Sequence, residues 1–413
     1  MTAPLRVRPP GRRLRVRLLL AAIAVVLLAE LIARATGSLQ RQVGLDTRPR
    51  AEVLAEQSRL ITERLADPGG VIVTDSDLGW RNNPGYADSA HAINGAGARS
   101  RREYTARPAP GVLRVAAYGD AYVYAAEVTT EEAWSTRIEQ DDATIEVLNF
   151  GVGGFGTDQA FLRYLNDGAS FAPAVVVIGF APVDLRRAVT RYTRFFSTDE
   201  PPLTKPRFRL DSAGTLRLLP NPVRGEQEWR RIVDDPTAVL ALGADDAWYD
   251  PLRYELPVLH HSAAVRLVVA ATLKVWRKFL WTDRLVDGGT FRPGAEAFRV
   301  QRAILAAFSD SARARGATAL VVMLPDPHSV ESARDGRRTV YAPLADSLTR
   351  DGQVEVLDLA PAFVAHLATA GGDGLFAPGG HFGPIGNRII AERLRVRLDA
   401  LRKSEQPDIG PSR

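Results

Sequence analysis

Few residues in this chain can do chemistry. There is no cysteine and only six histidines in 413 residues. That removes thiol nucleophiles, disulfides and Cys-ligated metals together. His260 and His261 are adjacent, so on most backbones their side chains point apart. No Asp, Glu or further His stands near them at a ligand spacing, and no metal is expected. Gly151-Val-Gly-Gly-Phe-Gly156 is glycine-rich, but no Lys follows it and its third Gly is misplaced for a dinucleotide fingerprint. No cofactor is therefore expected. What remains is the turn Gly119-Asp120-Ala121, Tyr122 and Tyr124 behind it, the segment Asp326-Pro327-His328, and His381 in a glycine-rich turn. A phenol titrates near 10 and attacks poorly without a strong base. The two tyrosines are expected to pack or to line a pocket.

The elements around these residues say where they sit. Leu113–Tyr118 is a compact apolar run that stops at Gly119, and a helical segment follows from Thr130 with Glu131 and Glu132 in its first turn. A strand that ends at such a turn places its next residues at the carboxyl edge of an α/β sheet, where ligands bind. Further strands are expected at 145–149, 174–179, 317–324 and 354–359. Helices are expected at 130–140, 157–167, 296–315, 339–351, 361–370 and 384–402. The strands are near-continuous runs of Val, Ile, Ala and Leu, which suit a parallel sheet covered on both faces. The fold class is thus α/β and doubly wound. Asp326 and His328 follow a strand on the same edge as Ala121. They are candidates for a rebuilt site or an ordinary loop stiffened by Pro325 and Pro327.

Charge is unevenly spread. The net charge is +5, but residues 1–35 hold seven Arg against one acid, Glu30. The rest of the chain is near neutral, so a nucleic-acid partner is not expected. Leu18–Ala29 is unbroken apolar sequence. It suits a signal peptide ending near Ala33-Arg34-Ala35, or an uncleaved anchor with the basic tail in the cytoplasm. The span 18–35 is about 27 Å of helix, just enough to cross a bilayer, and its flanks favour the anchor. Either way residues 36–413 are expected on the extracytoplasmic side, at the cell membrane.

The expected organisation is a basic tail (1–17), the anchor (18–35), a stalk and membrane-proximal segment (36–110), the α/β domain (111–403) and a disordered tail (404–413). Residues 79–84 read as a loop anchored by Trp80. An insertion at 190–294 interrupts the domain. Within it 207–219 reads as a hairpin and 262–281 as a helix, either a cap on the main domain or a helix lying on a membrane or a membrane partner.

Several blocks together resemble one family: Ile93-Asn-Gly-Ala-Gly-Ala98, Arg114 to Val128, Val147 to Gln159, Val175 to Leu185, and Gly380-His-Phe-Gly-Pro-Ile-Gly-Asn387. In order and spacing the chain resembles the membrane-anchored SGNH (GDSL-type) hydrolase-like proteins of bacteria. The resemblance implies a flavodoxin-like three-layer α/β/α sandwich. It implies a Ser nucleophile after the first strand, an Asp-x-His pair near the C-terminus, and an oxyanion hole built from the Ser amide, a Gly amide and an Asn side chain.

Mapped onto this chain, the nucleophile position is Ala121, preceded by Asp120, which supports the turn. Gly154 matches the oxyanion glycine. Val183, before Asp184, stands where the Asn belongs. His381 matches the base, but Gly379 stands where its Asp belongs, and Asp373 could replace that Asp only if the loop folds back. Loss of the nucleophile alone costs about 10⁴–10⁶ in turnover. The expectation is a degenerate member that binds or assembles on cell-surface glycan. The resemblance implies an acetylated glycan or ester ligand and a membrane-bound O-acyltransferase partner. The alternatives are an active esterase or O-acetyltransferase with a rearranged site, and a structural partner of an integral membrane protein.

Overall fold

The structure, a computed structural model, describes residues 12–405 apart from 68, 169, 256–260, 277–284, 351 and 353. Its described chain divides into two compact units. One comprises the N-terminal segment to Gln57 together with Asp250–Trp281; the other comprises Ser58–Tyr249 and the chain from Thr282 onward.

The larger unit is built on five parallel strands: β1 (Leu113–Tyr118), β2 (Ile145–Asn149), β3 (Val175–Phe180), β4 (Thr318–Met323) and β5 (Glu355–Asp358). Their order across the sheet is β5-β4-β3-β1-β2, the doubly wound order that reverses between β1 and β3. Register is fixed by pairs such as Ala117↔Asn149, Tyr118↔Ile178 and Met323↔Phe180. Every residue of β1, β2 and β3 is buried, as a sheet covered on both faces requires. On one face Leu113, Val115, Val147, Val177 and Val322 meet Trp134, Ile138, Phe363 and Leu394. On the other, Tyr118 packs edge-on against Tyr164, and Tyr164 against Phe308. Arg114 breaks the apolar rule inside β1. It is fully buried and bonds Glu146, its register partner on β2, at 2.6 Å, and the carbonyl of Phe171 at 2.8 Å. A charge taken from water needs this kind of pairing.

Several expected boundaries shift by a few residues, and some readings change. The helix expected from Thr130 begins at Trp134. A separate helical turn, Ala121–Tyr124, starts directly at the end of the Gly119-Asp120 turn. Residues 79–82 are not a loop but pair with 72–75 as a short antiparallel ribbon. The segment read as a rigid loop at 325–328 opens an eight-residue helix, Pro327–Arg334, with Asp326 as its N-cap. Proline at the first helical position supports the helix rather than breaking it.

The stalk folds into helices Gly37–Gln42 and Arg50–Ala66. The basic tail is already helical from Arg12. The last helix runs to Glu405, so only 406–413 of the expected tail lie outside the described residues. The insertion does not hold together. Its hairpin, 207–210 with 216–219, stays with the sheet. Its long helix, described over Ala263–Trp276, groups with the N-terminal helix. Among the described residues one helix segment, Val16–Ala35, is long and apolar enough to cross a membrane: 20 residues of mean hydropathy 2.5.

Candidate functional site at the carboxyl edge of the sheet

The topological switch between β1 and β3 puts the loops after both strands side by side, and Asp120, Ala121, Val183 and Asp184 are on those loops. Gly119 ends β1 and Asp120 caps the turn Ala121–Tyr124, its carboxylate accepting from the Tyr122 amide at 2.8 Å. Only a glycine fits at 179 on β3: a Cβ there would lie 2.3 Å from the Val123 side chain and 2.8 Å from Leu324. The turn therefore sits directly on the end of β3. The glycine-rich loop after β2 closes the other side. Val152 N donates to Gly119 O at 3.0 Å, and a Cβ at Gly151 would strike the Tyr124 backbone at 2.4 Å.

Ala121 is buried and offers a methyl group where a nucleophile would stand. Gly154 adopts φ +79° against the Trp80 ring, whose Nε1 donates to Gly153 O at 2.9 Å. Neither the Ala121 nor the Gly154 amide has an acceptor among the described residues. Val183 supplies no donor; its side chain packs against the apolar cluster of the sheet.

Beneath the turn lies a compact charged cluster. Arg187 donates to Asp120 Oδ2 at 3.1 Å and lies 3.7 Å from Asp184. Asp184 is buried, accepts from the Ala181 amide at 2.9 Å, and leaves its Oδ1 without a hydrogen bond. Burial, followed by the neighbouring Asp120 charge, pushes its carboxyl well above the ordinary range.

His381 lies in the loop before the last helix and is held by a residue that sequence reasoning did not single out. Its Nδ1 is 2.6 Å from Glu127 Oε1. Glu127 also accepts from the amides of Gly379, at 2.8 Å, and His381, at 3.2 Å. Burial works to raise the Glu127 pKa, but the bonds from the imidazole and the two amides outweigh it and hold the carboxyl below its usual value. The carboxylate partner of His381 therefore comes from the loop behind the nucleophile turn, not from position 379. Asp373 is exposed and plays no such part.

A Cβ at Gly379 would stand 2.4 Å from Glu127 Oε1, so a side chain there would make the Glu127 carboxylate shift. The Glu127 loop is itself pinned. Arg99, 1% exposed, donates to Tyr124 O at 2.7 Å and also to Ala125 O and Val128 O, bracketing Glu127 on both sides. One signal in the sequence pointed here: Glu127 is the only charged residue between Asp120 and Glu131.

Tyr122 joins the two halves. Its ring leans on the His381 imidazole with centroids 4.8 Å apart, and its hydroxyl donates to Gly380 O at 3.1 Å. Burial, then the Asp120 charge, raises its pKa, so it packs rather than attacks. Tyr124 is raised to about 12 by burial and stacks on His91. Asp326 directs a carboxylate oxygen to the Ser329 amide at 2.8 Å as a helix cap, and His328 is exposed on that helix. Their side chains are not hydrogen-bonded to His381 or Glu127. No group of three or more metal-ligating side chains occurs among the described residues, and His260 of the His pair lies outside them.

No protein-family model matches the chain, and no curated protein matches it. Among solved structures it is similar to an acetyl xylan esterase (14% identity, TM-score 0.37, covering 69% of this chain and 100% of that one). It is also similar to a GDSL-like lipase from Bacteroides thetaiotaomicron VPI-5482 (10%, 0.35, 72% and 93%) and to a psychrotrophic esterase from Pseudoalteromonas sp. (10%, 0.34, 70% and 98%).

Proposed function

We propose that this chain is an SGNH hydrolase-like protein that has lost the covalent route and keeps a carboxylate-held imidazole. One observation carries the reading. His381, partly exposed at the carboxyl edge, has its Nδ1 fixed by Glu127. Fixing Nδ1–H on a carboxylate leaves Nε2 as the proton acceptor, the arrangement general-base catalysis needs. With a methyl group at 121, no acyl-enzyme forms there. Nε2 would take the proton of a water or of an acceptor hydroxyl as that oxygen attacks an acyl carbonyl, and would return it to the departing alkoxide. The free amides of Ala121 and Gly154 are the available donors for the developing oxyanion. The ligand class is an acetyl or other short acyl ester on an exported glycan, with transfer to or from a membrane-bound O-acyltransferase as the setting. The basic N-terminus and apolar helix Val16–Ala35 support a single-pass anchor with the larger unit outside the cytoplasm.

A second reading, binding without turnover, is favoured by the replacement of both the nucleophile and the Asn donor. The deciding assay is p-nitrophenyl acetate hydrolysis by the full chain, beside His381→Ala and Glu127→Gln, with fluorophosphonate labelling in parallel. Turnover lost in both variants, without labelling, supports the base reading. Silence in the natural chain supports binding alone. Labelling of the natural chain overturns the claim that no acyl-enzyme forms.

A further inference from the structure

The smaller unit carries exposed apolar side chains out of proportion to its size. Outside the helix Arg12–Ala35, seven large hydrophobic residues are exposed among the described residues: Leu39, Val43, Leu218, Leu252, Val268, Val275 and Val396. All but Leu218 and Val396 belong to the unit containing the N-terminal helix and residues 250–281. Scattered single exposures are ordinary, but a concentration of them marks a contact surface.

Three sets of contacts bring these residues together at the end of the apolar helix. First, the helix continues beyond Ala35. Thr36 N bonds Ile32 O and Gln40 N bonds Thr36 O, so Leu39 and Val43 lie within about two turns of the apolar span. Second, Glu30, the acid that interrupts the apolar run, serves as an N-terminal cap for Ala263–Trp276. Its carboxylate accepts from Ser262 Oγ at 2.7 Å and from the amides of Ala263 and Ala264 at 2.9 and 3.0 Å. An acid there satisfies the unpaired amides that open a helix and its dipole. Third, the cations of that helix are occupied elsewhere. Arg266 donates to Thr47 O at 2.8 Å and Lys274 to Val43 O. Val268, Thr272 and Val275, spaced to share one helix face, are left exposed. A cavity of about 190 Å³ in the same unit is lined by Arg34, Arg41, Arg48, Arg266 and Glu52, with Arg34 paired to Glu30 and Arg48 to Asp46 and Glu56. Arg34 lies one turn beyond Glu30, at the depth where lipid phosphates would meet an anchored helix.

We propose that Ala263–Trp276, running beside the chain from Glu30 to Val43, and Gly37–Gln42 form a platform at the end of the apolar helix that meets the surface of the bilayer. Val268, Val275, Leu39 and Val43 would enter the acyl boundary and the arginine-lined cavity would take lipid phosphate. Apolar insertion beside cationic headgroup contacts is how interfacial helices bind. The inference rests on the anchor reading of Val16–Ala35 and adds a second helix, packed alongside its end.

Because the chain has no cysteine, single Cys spin labels need no background removal. The full chain is reconstituted in phosphatidylcholine–phosphatidylglycerol vesicles with one label at a time: Val268→Cys, Val275→Cys, Leu27→Cys in the span, and Ala213→Cys in the exposed hairpin turn. The ratio of oxygen to nickel-complex collisions is expected to be high at 27, raised at 268 and 275 toward that value, and low at 213. A lipid-like 27 with 268 and 275 matching 213 would overturn this inference and leave the anchor intact. A water-like 27 removes the anchor reading, and the platform falls with it.

Discussion

The two halves of the candidate site have fared differently. The nucleophile turn is structurally complete yet chemically blank. Asp120 caps it, Gly179 and Gly151 give it room, and Arg187 braces it, all to present a methyl group. The His381 loop has a glycine at 379, yet its histidine is held by a carboxylate from another loop. A catalytic function belongs to a geometry, and a carboxylate can reach an imidazole from any neighbouring loop. Positions 379 and 127 are coupled, because a side chain at 379 would require the Glu127 carboxylate to shift.

The variant that most sharpens the contrast is Ala121→Ser. If the base half is competent, supplying the hydroxyl alone restores the covalent route. Fluorophosphonate labelling is expected to appear, and p-nitrophenyl acetate turnover to rise by at least about 10²-fold. Both gains should vanish in Ala121→Ser/His381→Ala. A serine variant that stays unlabelled would mean that His381 does not face position 121.

Next in size is Glu127→Gln in that serine background. Glu127 is a positioning residue, so kcat should fall by about 10–10²-fold while KM stays nearly constant. A parallel rise in KM with unchanged kcat would instead make Glu127 a substrate-binding group. Arg99→Met should produce a smaller loss of the same kind, because it frees the carbonyls that bracket Glu127.

Gly379→Asp would bring a second carboxylate to the imidazole, and the geometry argues for a loss. In the serine background the single change should lower turnover by about tenfold, by displacing Glu127 and setting two like charges together. Gly379→Asp/Glu127→Ala should recover part of it, since one carboxylate then has the histidine to itself. Recovery by the single change would show that Glu127 yields easily and that the steric exclusion is weak.

Much of this could be read before any coordinates. The parallel strands announced themselves as apolar runs, and β1 and β2 fall on their expected residues, because burial on both faces leaves little room for polar side chains. Position 121 at the carboxyl edge follows from the same pattern. Glu127 was not legible in the same way, since its partner lies 254 residues away and only the closure of the sheet brings them together. The Glu30 cap on Ala263–Trp276 was hidden for the same reason. Inside an apolar run an acid reads as an interruption until its partner helix is seen.

The smallest expected effect concerns what lies beneath the blank half. Asp184 keeps one oxygen unpaired beside Asp120, and burial raises its pKa above the unfolded value. A raised folded-state pKa means that the folded chain favours the protonated acid. The resulting stability is fully present below the unfolded pKa and is lost as pH rises through the folded one. Asp184→Asn keeps an acceptor for the Ala181 amide and removes the charge that must otherwise form in the interior. Its Tm should exceed that of the natural chain by about 2–4 °C at pH 8 and by less at pH 5. A Tm that drops at both pH values would show that the charge is needed by Arg187. The cluster would then be an ion-pair support that holds the Ala121 turn in shape by charge as well as by packing.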